Sequence, residues 1–205
     1  MPDDSRVIVE SGYDAIADRY ADVIRAVRGP ETYFRSFLAR VLELIPEGGT
    51  VLDLGCGAGL VTADLTTRAR VVGVDISLAQ LELARRNAPA ARFVRADMVD
   101  LAFAPGSFDA VVAFWTLIHV PREFHASLLE GVHTWLRSGG LFAGTLGSGD
   151  NPADHVPDFH GAPMYWSHFD AENNRRLLRE AGFDVLQADE IEDEGETPLW
   201  VVARA

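Results

Sequence analysis

The chain has 205 residues, 48% of them hydrophobic, which suits one domain with a substantial core. Eighteen Lys and Arg against 31 Asp and Glu leave a net charge of -13, a field that repels phosphate backbones and anionic lipid and argues against nucleic acid or a membrane as partner. The single cysteine, Cys56, precludes an internal disulfide, the opening MPDDSRVIVESGYD has neither a basic nor an apolar leader segment, and no apolar run approaches the ~20 residues that span a bilayer, so the expected location is the cytoplasm.

Taken in chain order, residues 10–28 and 31–45 carry apolar side chains at three- and four-residue spacing and are predicted as amphipathic helices. Five short β-branched or aromatic runs follow at 50–54, 70–75, 91–96, 108–114 and 140–146, with connecting segments that are mostly helical in pattern. That alternation is the rhythm of βαβ crossovers and a parallel sheet. Ser77 and Gln80 read as a capping box opening one helix, Pro89 closes it, and Gly182 caps the helix before it. Residues 147–169, rich in Gly, Pro, Asp, His and aromatics, read as a long loop of the lid or binding type. The last two strand-like runs, FDVLQADEI and PLWVVARA, flank only an acidic turn containing Gly195, so they should pair as a hairpin and force one strand antiparallel. The chain is expected to form one domain over 1–205, with cap helices at 10–45 and a substrate lid at 147–169.

Between the first strand and its helix lies VLDLGCGAGL, with Gly55, Gly57 and Gly59 at alternate positions behind Asp53. Missing side chains let backbone N–H groups approach a ligand, and the helix N-terminus favours a polar or anionic group there. A nicotinamide dinucleotide fingerprint wants Gly or Ala at the sixth position from Gly55, where Leu60 stands. Spacing to the next acid does not discriminate, because Asp75, 20 residues beyond Gly55, suits the ribose of either kind of adenosine cofactor.

VLDLGCGAG, VVGVDIS and FVRADM together resemble the first three motifs of the class I S-adenosylmethionine-dependent methyltransferases, the small-molecule type, over roughly residues 10–205. The resemblance implies a Rossmann-like three-layer α/β sandwich whose seven-stranded sheet runs 3-2-1-4-5-7-6, mostly parallel with strand 7 antiparallel. It implies S-adenosylmethionine as cofactor, S-adenosylhomocysteine as product and a small-molecule acceptor. Carried over by position, Gly55, Cys56, Gly57 and Gly59 lie under the methionine end and Asp53 reaches its ammonium. Asp75, followed by Ile76, takes the ribose hydroxyls; Asp97 takes the adenine amino group, with Met98 at the ring edge and Phe114 nearby. Cys56 is expected to fill a small space. Tyr13 and Tyr20, seven residues apart on one helical face, resemble a helix laid across the cofactor.

For the acceptor, Trp115 and His119 follow the fourth strand, and His155, His160, Tyr165, Trp166 and His168 sit in the long stretch. Trp115, Tyr165 and Trp166 are candidate substrate contacts. His119, His155, His160 and His168 are candidate general bases, His119 equally a residue that orients its loop; His125 and His133 read as ordinary helix residues. Asp154, Asp158 and Asp170 intersperse the histidines without tight ligand spacing, so no metal is expected. An oxygen or nitrogen acceptor is favoured, in a monomer or homodimer. Two readings stand beside this one: an NAD-dependent oxidoreductase, and a non-catalytic S-adenosylmethionine-binding module.

Overall fold

The computed structural model describes residues 4–27 and 29–205; Met1–Asp3 and Arg28, the last residue of the first expected helix, lie outside the described residues. Two helices open the chain, α1 (Asp4–Val27) and α2 (Tyr33–Leu44). β1 (Thr50–Leu54), α3 (Leu60–Thr66), β2 (Arg70–Asp75), α4 (Leu78–Asn87), β3 (Arg92–Arg95), β4 (Phe108–Ala113), α5 (His125–Trp135) and β5 (Leu136–Leu146) follow. β6 (Asn151–Phe159), β7 (Ala162–His168), α6 (Ala171–Glu180), β8 (Asp184–Glu190) and β9 (Leu199–Arg204) complete it.

Seven strands form one sheet in the order β3-β2-β1-β4-β5-β9-β8. The first five strands pair in parallel, and β9 runs antiparallel to both β5 and β8. This is the order 3-2-1-4-5-7-6, with β8 and β9 as its sixth and seventh strands. Alternate residues of each strand feed opposite layers. Leu52, Leu54, Val111 and Phe142 pack with Leu129 and Val132 of α5 and Leu178 of α6. Val51, Val71, Val112 and Leu141 pack with Phe37 and Val41 of α2 and Leu65 of α3. Both faces are covered, which explains why the central strands read as apolar runs.

The stretch 147–169 is not a loop. It holds a two-stranded antiparallel hairpin, β6–β7, with His160 and Gly161 at its tip in positive-φ conformations and register shifts on both sides of Asp154–Val156. The buried Asn174 of α6 pins its base by donating to the carbonyls of Gly147 (2.8 Å) and Phe169 (2.9 Å). Val9 and Ile16 of α1 pack with Ala162, Met164 and Tyr165 of β7. α1 is also tied to α4, since Asp14 Oδ1 accepts from the Ser77 hydroxyl (2.6 Å) and the Ala79 N–H (3.0 Å).

α1 lies close to β7 at Gly12, where an added Cβ would lie 2.5 Å from the Pro163 carbonyl oxygen. Gly12→Ala therefore sets a helix-propensity gain of about 0.5–1 kcal/mol against an overpacking cost of about 1–3 kcal/mol. The melting temperature is expected to fall; a rise in a thermal melt would show that α1 does not bear on the hairpin as described.

Candidate active site

β1, β2 and β4 end at one rim of the sheet, the place where doubly wound folds carry ligands, and α1 crosses above it. The cleft between them opens to solvent and, counted with its mouth, spans about 1110 Å³. Its floor is the β1–α3 turn. Gly57 has φ +51, and a Cβ there would point into space with only the Gln80 Oε1 at 3.8 Å. Gly59 serves packing instead: it does not line the cleft, and a Cβ on it would press 2.8 Å from the Ala84 backbone of α4.

Three carboxylates stand along the rim. Asp53, at 2% exposure, accepts from the Thr62 hydroxyl at 2.6 Å. Asp75 accepts from the Gly57 N–H (2.8 Å) on one oxygen and from the Ser77 N–H (2.9 Å) on the other. Burial pushes its carboxyl up to about 6, against the pull of the Ser77 and Gly57 amides. Asp97 receives the Val99 N–H (2.9 Å) and pairs with Arg6 of α1 (3.1 Å). Cys56 sits between Asp53 and Asp75, and burial followed by those two charges raises its thiol well above the ordinary range, so it stays protonated. Its Sγ lies 2.9 Å from where a Cβ on Gly73 would stand, in a space that only glycine leaves.

The cleft gathers Asp53, Gly55, Cys56, Gly57, Asp75 and Ile76 from the first two strand ends. Asp97 and Met98 come from the third, Phe114, Trp115 and His119 from the segment after β4, and Tyr13 and Tyr20 from α1. Of the polar side chains that line it, Arg6, Gln80 and Thr116 are not among the site residues expected from the sequence. Arg6 precedes Tyr13 by the same seven residues that separate Tyr13 from Tyr20, so its face of α1 was available as a signal.

A second cavity of about 770 Å³ adjoins the cleft, and Tyr20, Ile24, Trp115 and His119 line both. Phe159, His160 and Trp166 of the hairpin and the acidic β8–β9 turn complete it. Trp115 holds φ +52, rare for a bulky residue; its N–H donates to Thr145 Oγ1 (2.7 Å) and its indole N–H to Glu196 (2.9 Å). Of the other candidates, His155 is exposed and packs edge-on against Tyr165, while His168 bonds the Gly149 carbonyl; neither lines the cleft or the second cavity. Tyr165 is buried in the α1–β7 core and meets the site through its backbone. No group of His, Cys, Asp and Glu side chains is arranged for a metal among the described residues, and none of their helices is long and apolar enough to cross a membrane.

His119 is buried, 4.3 Å from the Trp166 ring, and both ring nitrogens are engaged. The Tyr165 carbonyl, 2.8 Å from Nδ1, can only accept, so Nδ1 carries the proton. Nε2 is then the acceptor, and the Tyr13 hydroxyl donates to it at 2.8 Å. Burial lowers the imidazole to about 4. A histidine neutral in the fold but protonatable when unfolded stabilises the fold above about pH 6.5, and that contribution is lost as pH falls toward about 4. An NMR titration should show the Nδ1–H tautomer persisting to about pH 4; a midpoint near the ordinary histidine value would contradict the burial described.

A family profile described as a methyltransferase domain matches residues 51–140. An O-methyltransferase of Penicillium expansum, cnsE, is 35% identical over 72% of this chain and 56% of its own length. The chain spans about half the length of the curated relatives it matches. Among solved structures, the DhpI–SAH complex superposes with a TM-score of 0.80 at 22% identity over 97% of this chain and 96% of that one. A Burkholderia thailandensis 1,6-didemethyltoxoflavin-N1-methyltransferase with bound S-adenosylhomocysteine gives 0.76 at 22% over 100% and 90%. The stretch that the profile matches holds the glycine turn and the two motifs that follow it, and with the sheet order it shows that the chain belongs to the class I S-adenosylmethionine-dependent methyltransferases.

Proposed function

We propose that this chain binds S-adenosylmethionine in the cleft and transfers its methyl group to a small molecule held in the adjoining cavity, at an oxygen or nitrogen atom. The observation that carries the reading is the shared wall: Trp115 and His119 border both a cleft rimmed by three carboxylates and an aromatic-lined cavity. The donor set fits the cofactor. Asp53 suits an ammonium, Asp75 keeps a free lone pair on each oxygen for a vicinal diol, and the glycine turn leaves room for a chain to pass. The named activities of relatives, O-methyl transfer in one and N1-methyl transfer in another, bracket the acceptor atom.

When bound, the sulfonium supplies an electrophilic methyl group for in-line displacement, and the chain's task is alignment and proton removal. For a hydroxyl acceptor, Tyr13 Oη takes the acceptor proton while its own proton passes to His119 Nε2. The imidazolium so formed keeps its Nδ1–H on the Tyr165 carbonyl. With the imidazole at about 4, His119 is a weak base. Proton transfer therefore accompanies methyl transfer, when the oxygen becomes cationic and its proton strongly acidic. His160, at the hairpin tip, is the alternative base from the second cavity. A nitrogen acceptor with a free lone pair needs neither.

Calorimetry should show binding of S-adenosylhomocysteine and none of NAD; binding of NAD alone would assign the cleft to an oxidoreductase. Affinity for S-adenosylhomocysteine is expected to hold from pH 8 to 7 and to weaken below about 6, as protonation of Asp75 removes an acceptor. The same raised value makes the ligand-free fold lose stability as pH climbs through about 4 to 6, opposite in sign to His119. A flat affinity profile between pH 7.5 and 5.5 would remove Asp75 from the ribose site.

In an acceptor panel read by S-adenosylhomocysteine release, Tyr13→Phe should lower kcat on a hydroxyl acceptor about a hundredfold and leave a nitrogen acceptor nearly untouched. Equal losses on both would refute the relay. Tight S-adenosylhomocysteine binding with no turnover across the panel would point to the binding module instead.

A further inference from the structure

Gln80 is 1% exposed, and neither its amide oxygen nor its amide nitrogen has a hydrogen-bond partner among the described residues. Buried polar groups are nearly always satisfied, so a primary amide with both ends unpaired needs a reason. The expected capping box would have occupied it, with the Gln80 side chain returning to the Ser77 N–H. Only half of that box forms. The Ser77 hydroxyl accepts from the Gln80 backbone N–H (3.1 Å), but the Ser77 N–H is held by Asp75 Oδ1 at 2.9 Å. The amide is displaced from the helix end and stands on the cleft wall.

Its position is specific. Gln80 Oε1 lies 3.8 Å from the point where a side chain on Gly57 would begin, and the Gly57 N–H is bound to Asp75. The glycine that gives a ligand room, the rim carboxylate and the unpaired amide therefore converge on one small volume. Asp75 offers acceptors only. An amide beside it adds a donor and an acceptor, which a hydroxyl can use in either sense.

We propose that the side-chain amide of Gln80 is a cofactor-binding contact that, beside Asp75, hydrogen-bonds the ribose hydroxyls of the bound nucleoside. The assignment rests on the proposed cofactor reading of the cleft. It explains why the sequence places a polar residue on the buried face of α4, between Ser77 and the apolar Leu81 and Ala84. In the ligand-free protein the amide is a liability that binding removes.

The test is Gln80→Met, which keeps length and shape and deletes both polar ends. Ligand-free, the variant should melt at or above the wild-type temperature, because an unsatisfied group has gone. By calorimetry it should bind S-adenosylhomocysteine five- to thirtyfold more weakly. The same ratio should appear with 5′-methylthioadenosine, which keeps the ribose and base and lacks the amino-acid end. An S-adenosylhomocysteine affinity within twofold of wild type overturns the proposal. A loss seen with S-adenosylhomocysteine but absent with 5′-methylthioadenosine overturns the ribose assignment. Should Gln80→Met fail to fold, Gln80→Leu is judged by the same ratios. Failure of wild type to bind S-adenosylhomocysteine would be a different result, refuting the cofactor reading itself.

Discussion

The carboxylate of Asp75 is the joint on which the site is built. It ends β2, holds the β1–α3 turn through the Gly57 N–H, and holds the start of α4 through the Ser77 N–H. The β1–α3 turn is thereby fixed to the junction of β2 and α4 around one buried group. The cost is visible in its raised pKa, and the arrangement persists because two amides offset much of the desolvation. The rest of the cleft's shape follows. With Asp75 occupying the Ser77 amide, the Gln80 amide stands unpaired among the described residues on the cleft wall, and with Gly57 bound to Asp75 the open side of the turn faces the cleft.

Over this floor α1 works as a roof, fastened by several separate ties. Asp14 caps α4, Arg6 pairs with Asp97 and Asp100, Glu10 pairs with Arg95, and Tyr13 bonds His119. The ion pairs are partly exposed, and such pairs are worth about 0–1 kcal/mol each. Apolar packing of Val9 and Ile16 on the hairpin carries more of the attachment. Asp193 plays a similar part for α2, its two oxygens accepting from the Tyr33 and Phe34 amides at 2.8 and 3.0 Å. The acidic β8–β9 turn thus bounds the second cavity and anchors the aromatic group formed by Phe34, Trp115 and Trp200.

Where local chemistry dictated the outcome, the sequence was readable. β1 and β2 run as their apolar patterns indicate, and the glycine turn and rim acids come together because strand ends in a parallel sheet must. The hairpin was hidden because Pro152, Pro157 and Pro163 and scattered acids erase the two-residue alternation of a strand. Its His160–Gly161 tip, with both φ values positive, was the remaining clue. Contacts between distant segments left no local trace. The salt bridge from Arg6 to Asp97, the capping of α4 by Asp14 and the theft of the Ser77 amide by Asp75 all depend on how α1 and β2 lie in space. His119 shows the same limit from another side: its residue type suggested a base, but its tautomer and weak basicity come from a carbonyl 46 positions away.

The two-stranded ribbon of β6 and β7 stands apart from the main sheet and pairs with no third strand among the described residues. Such a free border ordinarily invites another chain to add itself. Pro152 and Pro157 lack amide hydrogens, the register breaks beside each, and Asp154 and Asp158 project charge from the same segment. These features disfavour the addition of another strand along the β6 border, which therefore stays unpaired beside the cleft while β7 is covered by α1.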